Sequence, residues 1–174
     1  MKVPYRPTNF IKRKYNFRYI IIHDVNCTFS ELAKYMIDDK KSQVNMLRSD
    51  NYILHNQTDL NYHMLAEKVN EDFETILCRP LTVMCKYDDI LTQYERSVHI
   101  GMMGSYTYEI PSDRFYRQLA YRCIVPLMGM FGITIDRIYL HREVSENKDS
   151  DCPGDFFKKT KLMANIKPML AVKG

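Results

Sequence analysis

Apolar residues recur along this chain with two periods, and the switches between them mark its elements. Arg18-Tyr-Ile-Ile-Ile-His-Asp-Val25 is a short β-branched run of buried-strand type. Thr28 and Glu31 have capping-box spacing, and Phe29, Leu32, Ala33 and Met36 form a helical stripe, which predicts a helix from about Thr28. Residues 38–58 are polar and read as a helix end and a long loop. Tyr62 to Lys68 and Phe73 to Arg79 flank Val69-Asn70-Glu71-Asp72 as a hairpin, although that turn has no glycine. Ser97 to Met103 is another short strand, closed by Gly104. Pro111-Ser112 opens the longest helix, with Phe115, Leu119, Cys123, Leu127 and Met130 on one side; Pro126 should kink it and Phe131-Gly132 end it. Ile135 to Arg142 reads as a strand, Lys148 to Asp155 as a tight loop, and Phe156 to Ile166 as a terminal basic helix. This order implies an α/β fold with a central mixed β-sheet of about five strands flanked by helices. No repeat or linker divides it. The expectation is a single domain over residues 1–174, with a core at about 18–160, a basic arm at 1–17 and a C-terminal helix at 156–170.

Composition narrows the class. With 174 residues, 45% hydrophobic and 26% charged, the chain can bury a core and is neither disordered nor a coiled coil. No apolar run approaches the ~20 residues of a membrane span. The longest apolar stretch near the N-terminus, Tyr19 to Ile22, is too short for a secretory signal, so synthesis in a reducing cytosol is expected. Five scattered cysteines make no disulfide framework. The net charge of +4 is concentrated at the ends: Lys2, Arg6, Lys12, Arg13, Lys14 and Arg18 have no acid among them, and Lys158, Lys159, Lys161, Lys167 and Lys173 face only Asp155. Two such ends could grip a polyanion or could simply be solvated termini. No zinc-finger, Walker or dinucleotide motif is present, so nucleic acid is not an expected partner.

Three positions invite a joint explanation. His23 ends the first strand, His141 ends the last, and Cys152 follows eleven residues later, directly before Pro153-Gly154. Two imidazoles and a thiolate supply three of zinc's four tetrahedral positions, leaving one for water, as in catalytic rather than structural sites. Singly, each has a plain structural reading: a histidine at a strand rim is commonly just hydrogen-bonded, and a lone cysteine is commonly a small apolar filler.

The local sequences add to this. Ile20-Ile-Ile-His23, Asp59-Leu-Asn-Tyr62-His63-Met64-Leu65, Ser97-Val-His-Ile-Gly-Met-Met-Gly104, Ile138-Tyr-Leu-His141-Arg-Glu-Val144 and Lys148-Asp-Ser-Asp-Cys152-Pro-Gly154 occur in one order. That series resembles the zinc-dependent N-acetylmuramoyl-L-alanine amidases, the family shared by amidase-type phage lysozymes and peptidoglycan recognition proteins, over about residues 18–160. The resemblance implies the amidase/peptidoglycan-recognition fold, zinc bound by His23, His141 and Cys152, and Asp151 as a fallback ligand. It implies that Tyr62 assists attack on the amide and that Lys148 steadies the oxyanion. Peptidoglycan is then the partner, with virion proteins possible. The expected protein is an endolysin or virion-associated lysin that acts on the wall after release.

Departures from the family pattern are also visible. Lys148 stands four residues before Cys152, where phage relatives place it two before. Segment 83–96 lacks the histidine or tryptophan that lines the substrate groove of relatives, and His99 stands where they have glycine. Gly101 and Met103 replace residues that in one branch include a catalytic glutamate. These motivate the alternative of a non-catalytic protein of the same fold that binds peptidoglycan or builds a phage particle. His63, His55, Cys27, Cys78, Cys85 and Cys123, and the pairs Met102/Met103 and Met128/Met130, read as structural residues. Asp24 and Glu143 flank the two histidines and could orient them from behind.

Overall fold

The computed structural model describes residues 16–25, 62–69, 72–77, 80–82, 84–85, 89–104 and 106–171. The helix expected from Thr28, the loop at 38–58, the N-terminal arm, His55, Cys27 and Cys78 lie outside them. The described strands are β1 (Tyr19–Asp24), β2 (Met64–Val69), β3 (Asp72–Leu77), β4 (Ser97–Met102) and β5 (Ile138–Leu140). They form one sheet in the order β3-β2-β4-β1-β5. β1 runs parallel to both β4 and β5, β2 runs parallel to β4, and only β3 is antiparallel, as the outer half of the hairpin with β2. The expected five-stranded mixed sheet is present.

One face of this sheet is apolar and covered by helices. Ile20 and Ile22 of β1, Val98, Ile100 and Met102 of β4, and Ile138 and Leu140 of β5 are fully or almost fully buried there. Against them pack α1 (Asp113–Leu119), α2 (Val125–Phe131) and the C-terminal α4 (Lys159–Ala171), through Phe115, Leu119, Cys123, Leu127, Leu162 and Ile166. Burial of each such side chain stabilises by about 1.5–3 kcal/mol relative to exposure.

The long helix starts as its sequence dictates, with the Ser112 hydroxyl accepting the Phe115 N–H at 3.1 Å. It ends on Gly132 in the left-handed conformation, φ 65°. The expected kink takes the form of a π turn over Ala120–Ile124, immediately upstream of Pro126. Pro126 has no N–H for the carbonyl four residues back, and the Val125 N–H instead reaches Ala120. A π turn adds a residue and rotates everything downstream. Met128 therefore takes the inward position, and Met130, expected inside, is 63% exposed.

Two further boundaries differ from expectation. Ile135–Arg137 is a 3₁₀ turn and β5 holds only three residues, because the Leu140 N–H turns to the Glu143 carboxylate at 2.7 Å and starts a short helical turn, α3 (His141–Val144). The terminal helix begins at Lys159 rather than Phe156. Buried Phe157 and a 2.7 Å hydrogen bond from the Lys158 N–H to the Tyr116 hydroxyl hold the preceding residues in an irregular path. Among the described residues no helix is long and apolar enough to cross a membrane.

Candidate metal centre

The sheet register assembles the site. Ile22 pairs with Leu140, so the residues that follow, His23 and His141, emerge side by side at the C-terminal ends of adjacent parallel strands. Their ring centroids are 4.6 Å apart. Cys152 is brought to them by its loop, whose Cys152 carbonyl accepts the Arg142 N–H at 3.0 Å. One donor atom from each of His23, His141 and Cys152 lies within 4.8 Å of the others. Tetrahedral zinc with bonds of about 2.0–2.3 Å would space its ligands somewhat closer, so small side-chain adjustments close the set. The three residues singled out from the sequence thus converge.

Both imidazoles are held from behind. His141 Nε2 lies 3.0 Å from Asp89 Oδ2, which also accepts the Ser145 hydroxyl at 3.0 Å. The hydrogen bond from His141 holds the Asp89 carboxyl below its ordinary range, outweighing the opposing effect of burial. His23 Nε2 lies 2.9 Å from His99 Nδ1. The sequence named His99 only as a departure from the family pattern and did not name Asp89; the β1–β4 register brings His99 to His23, and the Ile90–Ser145 bridge brings Asp89 beside His141. Of the flanking acids, Asp24 contacts the Cys152 thiol, and burial raises its pKa. Glu143 instead caps α3 and pairs with Lys159 at 2.7 Å. Burial, reinforced by the neighbouring Asp24, also pushes the Cys152 thiol above its ordinary pKa. A divalent cation favours the thiolate and reverses that cost, so the donor set suits zinc.

The loop carrying Cys152 has its own supports. Gly154 sits at φ 90°, and a Cβ there would lie 2.3 Å from the Tyr106 carbonyl carbon and 2.4 Å from the Thr107 nitrogen. Glycine after Pro153 is thus demanded twice, by conformation and by space. Arg142 donates from Nη1 to the carbonyls of Asp151 and Gly154 at 3.0 and 3.1 Å, gripping both sides of the cysteine. His-Arg-Glu-Val then reads physically: a donor to the cluster, a loop clamp, a cap, and Val144 packed with Ile21 and Ile90.

The other sequence candidates separate. The Tyr62 ring stands edge-on to His23, centroids 5.5 Å apart. Gly101, paired with His23, makes room for it: a Cβ there would lie 3.0 Å from Tyr62 Cδ1, and closer still to Val25 and Leu65. Lys148 is exposed on the turn closed by the Ser150 N–H to the Asn147 carbonyl, and the described residues show no hydrogen bond from it to the cluster. Asp151 turns its carboxylate to the Thr107 hydroxyl at 3.4 Å. His63 and Cys85 are buried, as structural residues should be, but they contact each other, Nδ1 to Sγ at 3.2 Å.

No protein-family model and no curated protein matches the chain by sequence. Solved structures do match. An N-acetylmuramoyl-L-alanine amidase, LysC, from Clostridium intestinale superposes with TM-score 0.70 at 16% identity, covering 95% of each chain. Bumblebee PGRP-SA gives 0.65 at 17% identity, covering 91% of this chain and 87% of its own. The Ph2119 endolysin from a Thermus scotoductus bacteriophage gives 0.62 at 13% identity, covering 90% and 89%. The chain therefore has the fold shared by N-acetylmuramoyl-L-alanine amidases and peptidoglycan recognition proteins.

Proposed function

We propose that this chain is a zinc-dependent hydrolase of the amide bond between N-acetylmuramic acid and L-alanine in peptidoglycan. The observation that carries the reading is the convergence of His23, His141 and Cys152 within 4.8 Å, at the strand ends of a fold shared with such amidases. Zinc held there supplies a Lewis acid and brings the pKa of water to roughly 7. Among the protein's own groups, Asp89 and His99 hold the imidazoles, and Gly154 with Arg142 holds the thiolate in place. Tyr62, beside His23, offers a phenol hydroxyl to the oxygen on which negative charge develops as the amide is attacked. To Lys148, on the loop that leads to Cys152, we assign the addition of positive charge near the attacked amide. We take residues 1–174 as one domain, its basic ends attracted to an anionic wall. An endolysin or virion-associated lysin, acting after release from the cell, fits this reading.

A second reading is favoured by two observations. The exposed Lys148 and the histidine-free, tryptophan-free segment 83–96 suit a protein that binds peptidoglycan without cleaving it. Metal analysis combined with release of stem peptide from purified peptidoglycan separates the two. About one zinc per chain is expected, with release lost in Cys152→Ser and lowered about 10²–10³-fold in Tyr62→Phe, the loss typical of one oxyanion donor. Zinc-free protein that binds wall material without releasing peptide overturns the hydrolase.

A further inference from the structure

A metal-bound imidazole uses one ring nitrogen and carries its proton on the other, so whatever accepts that proton decides which nitrogen faces the metal. In this chain the two histidines meet different partners. His141 presents Nε2 to a carboxylate, Asp89, at 3.0 Å, and His23 presents Nε2 to another imidazole, His99 Nδ1, at 2.9 Å. His23 and His99 are each about 2% exposed, so water does not compete for this contact.

His99 is itself tightly placed. On β4 it pairs with Ile21 and lies two residues before Gly101, the partner of His23, so both imidazoles project from the same face of adjacent strands. Its backbone is bound twice by one residue: its N–H donates to His63 Nδ1 at 3.0 Å, and its carbonyl accepts the His63 N–H at 2.9 Å. The His63 and His99 rings stack with centroids 6.0 Å apart and planes 18° from parallel, and Cys85 lies behind His63. The backbone that carries the His99 imidazole is thereby fixed, and the ring itself lies against that of His63.

We propose that His99 is a positioning residue of the metal centre: its Nδ1 accepts the Nε2–H of His23 and so turns His23 Nδ1 toward the cation. The two histidines then bind through the same nitrogen, one oriented by a carboxylate and the other by a neutral ring. This rests on the zinc reading above, and it assigns His99 no contact with substrate.

Zinc affinity, measured by competition against a chromogenic chelator, tests the proposal without recourse to activity. His99→Leu removes the acceptor and should weaken zinc about 10–100-fold, the range for loss of such a supporting partner. His99→Asn places an amide oxygen near the position of Nδ1 and should restore affinity to within about threefold of wild type. A folded His99→Leu protein that binds zinc as tightly as wild type overturns the proposal, and so does an Asn variant no better than Leu. Ring-nitrogen NMR of the unaltered zinc-loaded protein keeps the test independent of how the variants fold. His23 protonated on Nε2 and His99 with a bare Nδ1 are expected; a proton on His99 Nδ1 overturns it. Wild-type protein that takes up no zinc removes the zinc reading itself, whereas wild-type uptake with an indifferent His99→Leu variant removes only this inference.

Discussion

The two faces of the sheet are made by the same strands and solve opposite problems. Along β1, Ile20 and Ile22 enter the helix-covered face, whereas Ile21 and His23 enter the other. Along β4, Val98, Ile100 and Met102 alternate in the same way with Ser97, His99 and Gly101. The first face is apolar. Its contacts need volume and shape, and an apolar side chain of about the right size serves. The second holds buried imidazoles, each of which must find a partner of definite geometry or lose the free energy of its desolvated nitrogen. His23 finds His99, His99 is clamped by His63, and His141 finds Asp89. The apolar face supplies the stability that lets the polar face remain buried and aimed.

The strongest way to break this division is on the apolar side. Ile22→Ala deletes a fully buried side chain on the strand that ends in His23, paired with Leu140 just before His141. It should cost about 2–5 kcal/mol by urea denaturation. If the faces divide the work as argued, the protein that remains folded still binds about one zinc per chain. Loss of zinc stoichiometry at full folding would show that the polar face depends on fine core packing as well.

From the polar side, removal of metal gives a smaller change. A ligand that binds only the folded state at a hundred times its dissociation constant stabilises by about 2.7 kcal/mol. Zinc-loaded protein should unfold at correspondingly higher urea than protein stripped with a chelator. The difference should vanish in Cys152→Ser, whose metal-free stability stays close to that of stripped wild type. A Cys152→Ser variant still stabilised by zinc to the same extent would place the cation elsewhere.

Gly154→Ala sharpens the comparison at the join between the faces, where the Cys152 loop lies against Tyr106–Thr107. The left-handed φ and the 2.3 Å approach to backbone leave no side-chain end to move aside. About 1–3 kcal/mol of stability should be lost through backbone strain. Zinc binding should weaken as well, because Gly154 and Cys152 share the loop gripped by Arg142. Gly129, a helical glycine with nothing within 4 Å of its absent Cβ, is the control: Ala there should be neutral or stabilising.

How far these features were legible in the sequence follows from the range of the interactions that create them. The strand around Ile20–Ile22, the Ser112 cap and the Gly132 stop are local, and local patterns reported them. The cluster of His23, His141 and Cys152 was reachable because motif order and residue chemistry pointed to the three together. The roles of Asp89 and His99 were not, since no spacing along the chain says that β4 lies beside β1 in the register that sets His99 diagonal to His23, or that the Ile90–Ser145 bridge sets Asp89 beside His141. Met130 was misplaced for a related reason. A single π turn, forced by Pro126, shifts the helical phase in a way that a constant 3.6-residue period cannot represent.

The finest test compares two cysteines of the two faces. Burial on the apolar side raises the Cys123 thiol to about 12 from an ordinary value of 9.0. The unfolded chain therefore releases this proton first as pH rises. The thiol's contribution to stability is fully present below about pH 9 and declines as pH climbs toward 12, by up to ~1.4 kcal/mol per pH unit for one proton. Cys123→Val, which keeps the volume and removes the proton, should flatten the alkaline slope by nearly one proton between pH 9.5 and 10.5 in urea titrations. An unchanged slope would mean that Cys123 ionises as freely in the folded protein as in the unfolded one. Cys152, half-buried and set beside His23 and His141, should behave otherwise: bound zinc should make it a thiolate at neutral pH and shield it from alkylation, while Cys123 stays unreactive with or without metal. Equal protection of both thiols in stripped protein would erase the distinction between a cysteine used for its volume and one used for its charge.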